Sequence, residues 1–207
     1  MKNYTKVNRE SEKRKKGYQK TFKKYGVDPK ALQWASKKAA EVRYKNLVKD
    51  IDFEGKTVLD IGCGFGDIIG HIKKKTNNFD YLGIDIVPEF ISTAKKKYPK
   101  HKFIVGDYFN NPLNEEFDIV LTSGTLNAND KKPMETRKKY IKTMFDHTNK
   151  ILAFNMAGGN PQPDNANAKR VYYADSKQIL DYCITVGNAK LVSGYHPKDF
   201  IVIIKKN

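Results

Sequence analysis

From residue 57 onward the chain alternates short apolar runs with longer amphipathic stretches. Val58, Leu59 and Ile61 form the first run, broken by a single acid, Asp60. Gly62, Gly64 and Gly66 follow at every second position, and apolar residues resume at Ile68. This pattern predicts a buried strand, a glycine turn, and a helix over about 67–75. A second strand is expected at Phe79–Asp85, a helix at Pro88–Tyr98, and a third strand at His101–Val105 ahead of Gly106, Asp107 and Tyr108. A fourth strand runs Phe117–Thr122 and ends at Ser123, Gly124 and Thr125. Residues 133–147 read as a helix whose Met134, Ile141, Met144 and Phe145 share one face. Lys150–Met156 reads as a fifth strand, and residues 157–170, rich in Gly, Pro and Asn, as a loop. A helix over 175–184, capped by Asp175 or Ser176, precedes two final strands at Ala189–Val192 and Asp199–Lys205. Strands alternating with helices predict an α/β, doubly wound sheet.

Residues 1–54 read differently, as a basic helical N-terminal extension to a domain spanning 55–207. One helix is expected over about 8–24. A second starts at Asp28-Pro29 and runs through 49, with Leu32, Ala35, Ala39, Val42 and Leu47 as its stripe and Trp34 and Arg43 on it. This extension is expected to pack on the domain, where it can cover a ligand pocket. The first twelve or so residues are expected to be disordered.

Charge sharpens this division. The net charge is +16, and residues 1–50 hold 16 Lys and Arg against 5 Asp and Glu. Such a segment, with Tyr4, Tyr18, Phe22 and Tyr25 among its lysines, suits a polyanion partner through residues 1–50. The competing reading is compositional. Lys outnumbers Arg 34 to 5, a bias that an A/T-rich genome produces unaided, and selective nucleic-acid contacts lean on arginine. No apolar run approaches 18 residues, so no membrane span is expected. The absence of an apolar leader, and two cysteines with neither zinc nor disulfide spacing, point to a reducing cytoplasm and to no metal site.

The chemistry lies in the turns that follow the strands. A dinucleotide fingerprint requires a third glycine at position 67, where this chain has Asp67. It has instead G-x-G-x-G with Asp60 before it, and Asp85 closes the second strand 23 residues after Gly62. With Asp107 after strand 3 and Ser123 at the end of strand 4, the sequence resembles the class I, Rossmann-like S-adenosylmethionine-dependent methyltransferases. The resemblance covers roughly residues 55–205, with its strong motifs at 57–125. It implies a seven-stranded, mostly parallel sheet with an antiparallel C-terminal hairpin, and S-adenosyl-L-methionine as cofactor. Asp85 would then accept hydrogen bonds from both ribose hydroxyls. Asp60 would face the cationic amino-acid end, and Gly62, Cys63, Gly64 and Gly66 would bring backbone close to the ligand. Asp107 and Tyr108 would meet the adenine, with Ile86 and Ser123 completing the cofactor set.

The acceptor is harder to read, because methyl transfer needs mainly alignment and exclusion of water. The strand 4 end, Ser123-Gly124-Thr125-Leu126-Asn127, lacks the motif of many DNA amino-group methylases. No cysteine follows strands 4 or 5 to attack a pyrimidine, and Ser123 stands where ribose 2′-O transfer needs an aspartate. Asn127, Tyr172 and His196 are the candidate catalytic groups, with Asn155 and Tyr173 nearby in the pattern. His196 is the residue able to titrate near neutrality. The expected activity is methyl transfer to an O or N atom of an acceptor, a small molecule ahead of a nucleic acid. The alternative is an inactive protein of the same fold that binds RNA or DNA through its basic segment.

Overall fold

The computed structural model describes residues 8–166 and 168–206. The chain divides into two compact units, Met1–Leu113 and Asn114–Asn207. The first holds α1 (Arg9–Tyr25), a 3-10 turn (Pro29–Leu32), α2 (Lys37–Val48), β1 (Lys56–Ile61), α3 (Ile68–Ile72), β2 (Phe79–Asp85), α4 (Pro88–Lys97) and β3 (Lys102–Val105). The second holds β4 (Phe117–Ser123), a 3-10 turn (Thr125–Asn127), α5 (Pro133–Asp146), β5 (Thr148–Gly159), β6 (Ala174–Asp175), α6 (Ser176–Val186), β7 (Asn188–Val192) and β8 (Asp199–Lys205).

In the first unit β2 pairs in parallel with both β1 and β3. In the second, β5 pairs in parallel with β4, while β8 runs antiparallel to both β5 and β7. The mixed, mostly parallel α/β architecture with antiparallel C-terminal strands matches the expectation. Seven strands were expected, and an eighth is present: two-residue β6 pairs in parallel with the end of β5. It escapes sequence reading because Ala174 and Asp175 carry no apolar alternation. Strand β5 also runs three residues past Met156, so Ala157–Gly159, expected in the loop, are still strand.

The N-terminal segment corrects two further expectations. The helix begins at Arg9, with Asn8 as its cap, so residues 9–12 are ordered helix; residues 1–7, with Tyr4, lie outside the described residues. Asp28 and Pro29 do start a helical segment, but it ends after one 3-10 turn at Gln33, which adopts φ 64°. Trp34 therefore lies in the connection and not on α2. Ser36 restarts the helix by accepting the Ala39 N–H at 3.1 Å. The buried face of α2 is Ala40, Arg43, Tyr44, Leu47 and Val48; it keeps Leu47 of the expected stripe but takes Ala40 and Arg43 in place of Ala39 and Val42. Both helices belong to the first compact unit.

Helix α3 is five residues long, shorter than expected. Lys75 leaves the helix to place its ammonium against the carbonyl oxygens of Val48, Lys49 and Ile51, at 3.0, 2.8 and 2.5 Å. A cation at the end of α2 satisfies carbonyls that the helix leaves without partners.

Candidate functional site

Three acids stand at the carboxyl ends of adjacent parallel strands. Asp60 is near the end of β1, opposite Gly83 of β2; Asp85 ends β2, opposite Val105; Asp107 follows β3 by two residues. All three are buried. Open α/β sheets bind ligands at this edge.

The turn after β1 owes its path to glycine. Gly62, Gly64 and Gly66 have φ values of 72°, 54° and 72°, in the region that residues with a Cβ avoid. The N–H groups of Gly62 and Cys63 both donate to Ile84 O, at 2.8 and 3.1 Å, which ties the turn to β2. A Cβ on Gly64 would lie 2.9 Å from Leu32, and one on Gly66 would lie 3.2 Å from the Phe103 and Tyr98 rings. These two glycines are therefore demanded by protein packing as well as by φ. The Cys63 side chain turns onto β2, where a Cβ on Gly83 would come within 2.8 Å of its sulfur. Burial pushes its thiol well above the usual range.

Asp85 is held by its surroundings. The Val87 N–H donates to Oδ1 at 2.9 Å and the Gly64 N–H donates to Oδ2 at 3.0 Å. Burial nevertheless raises its pKa to about 6. Ile86 beside it is half-buried against Ala31, Phe65, Val87 and Phe90. Asp60 accepts a hydrogen bond from the Tyr81 hydroxyl at 2.6 Å. Burial lifts its pKa to about 7, with the charges of Asp85 and Asp67 adding to the rise. A buried carboxyl so placed gains from a cation, which favours its ionised form. This donor set fits a ligand with hydroxyls at one point and positive charge at another. Asp107 accepts from the Asn110 side chain at 2.5 Å, and Tyr108 is buried, edge-on to Phe109.

The second unit holds the other candidates. Ser123 Oγ is buried with no hydrogen-bond partner, as suits a group kept for a polar ligand atom. The Asn127 side chain accepts the Ala157 N–H at 2.8 Å, and its carbonyl accepts the Tyr172 N–H at 2.9 Å. Asn155 is fully buried; it accepts the Gly124 N–H at 2.9 Å and donates to Asp199 at 3.0 Å. Tyr195 also bonds Asp199. The two asparagines thus fix the turn after β4 to the end of β5. Tyr172 lies with its ring 4.8 Å from the Arg137 guanidinium. The half-buried Tyr173 has Lys198 over its ring, and its backbone is gripped by Asn165. His196 Nδ1 accepts the Lys198 N–H at 3.2 Å; the neutral ring then carries its proton on Nε2, a donor and not a base.

Sequence reading overlooked Tyr81, Asn110 and Arg137. Tyr81 sits two residues before Gly83, on the same face of β2. Arg137 is 1% exposed. It donates to Pro133 O and Ala128 O, at 2.8 and 3.1 Å, and burial lowers its pKa to about 10. The signal was available: Arg137 falls three residues after Met134 and four before Ile141, on the apolar face of α5.

Comparisons with known proteins bear on the family and the fold. Residues 58–150 match the family described as "Methyltransferase domain". A putative methyltransferase of Invertebrate iridescent virus 6 is 35% identical over 79 residues, 38% of this chain and 30% of that protein. Norajmaline N-methyltransferase of Rauvolfia serpentina is 31% identical over 111 residues, 50% of this chain and 36% of that protein. The chain thus spans about a third of the length of these curated relatives. Among solved structures, magnesium protoporphyrin IX methyltransferase of Synechocystis with bound SAH superposes with a TM-score of 0.61 at 17% identity, over 79% of this chain and 80% of that one.

Proposed function

We propose that this chain, whose fold and motifs are those of the class I, Rossmann-like S-adenosylmethionine-dependent methyltransferases, moves a methyl group from S-adenosyl-L-methionine to an O or N atom of a small molecule. The observation that carries the cofactor assignment is the row of buried acids at the ends of β1, β2 and the β3 turn. Asp85 takes the ribose hydroxyls, Asp60 the cationic amino-acid end, and Asp107 with Tyr108 the adenine. Gly62, Cys63, Gly64 and Gly66 supply backbone, with Ile86 beside them.

The cofactor supplies a methyl group already activated on a sulfonium. The protein's part is to bind, orient and keep water out. Asn127 acts by holding the turn after β4 through the Ala157 N–H, and Tyr172 by stacking on Arg137. Both are positioning residues in this reading. His196 accepts the Lys198 N–H at its turn and becomes a base only if its ring is released from that bond.

A small-molecule acceptor is favoured because relatives carry names such as norajmaline N-methyltransferase, and because the usual nucleic-acid methylase motifs are missing. Charge alone supports the RNA- or DNA-binding alternative. Titration calorimetry with S-adenosylmethionine, its demethylated product S-adenosylhomocysteine (SAH) and NAD tests the assignment. Micromolar binding of the first two is expected, and binding of NAD alone would refute it. Product formation from pooled small metabolites, with none from RNA, tests the acceptor class.

A further inference from the structure

The N-terminal segment reaches the segments after β1, β2 and β3 that carry the proposed cofactor residues of the first unit. At its start, the Asn8 side chain donates to Asn110 Oδ1 at 2.8 Å. Asn110 in turn donates to Ser11 Oγ at 3.2 Å and to Asp107 Oδ2 at 2.5 Å. The beginning of α1 is thereby clasped to the turn after β3. Midway, Tyr18 packs edge-on to Phe90 at 5.9 Å, and Gln19 donates to Glu89 at 2.9 Å. These contacts lie on the first turn of α4, and the same apolar cluster includes Val87 of the turn after β2. Burial and the charge of Asp85 both raise the Tyr18 phenol's pKa. Near its end, Phe22 packs on Phe65 and Phe90, at 6.0 and 5.8 Å. The chain then turns at Gly26, and Thr21 Oγ1 donates to Ala31 O at 2.7 Å. The 3-10 turn that follows sets Leu32 against Gly64.

A helix that served only to cover apolar surface would have no reason to visit all three loops in order. We infer that residues 8–32 form the roof of the cofactor site, with Tyr18, Phe22 and Leu32 as its inner surface, and that this roof must lift for the nucleoside to enter or leave. The inference rests on the cofactor assignment proposed above. The roof is held by one small apolar cluster and a handful of side-chain hydrogen bonds, the kind of contact that opens locally without global unfolding. Its outer face is lysine-rich and exposed at Lys13, Lys16, Lys20, Lys23 and Lys24, so the helix has nothing apolar to hide when it swings away on that side. The roof thus acts on release of the spent cofactor more than on its recognition.

Two measurements test this. In the full-length wild-type protein, trypsin should cut within residues 9–24 at least fivefold more slowly when SAH is saturating. Equal rates with and without SAH would overturn the roof. The second is the dissociation rate of SAH, followed by displacement with excess S-adenosylmethionine. Phe22→Ala with Leu32→Ala should raise it about tenfold, Asn110→Ala should raise it less, and the conservative pair Phe22→Leu with Leu32→Met should leave it near the wild-type value. A purely structural role would lower the melting temperature and leave that rate unchanged. Asp85→Asn is the control for the site itself. If it weakens SAH while the roof variants leave the rate within twofold of wild type, the roof fails and the cofactor assignment survives. If SAH does not bind the wild type at all, both fail.

Discussion

The two halves of this chain solve different problems with the same kinds of side chain. In the first unit, buried polar groups are left under-neutralised: Asp60 and Asp85 sit with pKa values raised to about 7 and about 6. In the second, buried polar groups mostly satisfy one another, as Asn155 does between Gly124 and Asp199. An acid held at a cost in its own solvation is a sign of a ligand to come, whereas a satisfied amide is a brace. On this view the first half binds and the second half holds shape.

The largest effect should separate the halves outright. Asp85→Ala removes the proposed acceptor for two hydroxyls and should weaken SAH about 100-fold or more, since hydrogen bonds to a charged group are worth about 1.5–3 kcal/mol each. Calorimetry reads this directly, and an affinity within threefold of wild type would remove Asp85 from the site. Next comes the brace. Asn155→Leu leaves the Gly124 N–H and the Asp199 carboxylate short of a partner and should cost about 2–3 kcal/mol in urea unfolding, with SAH affinity within twofold of wild type. A variant that kept its stability but lost SAH would reverse the contrast.

A third effect is smaller and depends on pH. The folded protein keeps the Asp60 proton up to about pH 7, whereas an unfolded aspartate loses it near 4. This group's contribution to stability is therefore full below about pH 4 and is lost as pH rises through 7. A cationic ligand pulls the pKa back down, so S-adenosylmethionine binding at pH 6.5 should expel part of a proton. Binding should tighten by up to about tenfold between pH 6 and 8. Calorimetry in two buffers of different ionisation enthalpy measures the proton, and Asp60→Asn should abolish both signals. The smallest effect is at the turn. His196→Ala loses one 3.2 Å hydrogen bond and should shift stability by under about 0.5 kcal/mol, with SAH binding unchanged. A larger shift would show that this turn does more than join two strands.

The contrast also governs what was legible in the sequence. The first half announces itself because its conformational demands fall on glycine and its electrostatic demands on aspartate, at spacings that strands and turns dictate. Gly62, Gly64, Gly66, Asp60, Asp85 and Asp107 were picked out by their spacing and by the family resemblance that spacing carries. The reason two of those glycines are needed could not be: Leu32 and the Phe103 and Tyr98 rings come from distant segments. The braces of the second half were invisible for a similar cause. Nothing local distinguishes an asparagine that accepts from a strand 30 residues on from one that caps its own turn. Asn127 and Tyr172 drew notice as chemistry for that reason; in the structure Asn127 accepts the Ala157 N–H and the Tyr172 ring lies against Arg137. The helix break at Gln33 was missed because a 3-10 turn and an α-helix share their start signal at Asp28-Pro29.

Lys75 has a practical consequence. The residue is exposed, but its ammonium donates to three carbonyl oxygens at once, so its protons are engaged in a way that sets it apart from the other 33 lysines. Limited acetylation or reductive methylation should therefore mark the surface densely and reach this position last. Reaction at Lys75, read by peptide mass mapping, would be a ready gauge of when the junction between α2 and α3 comes apart.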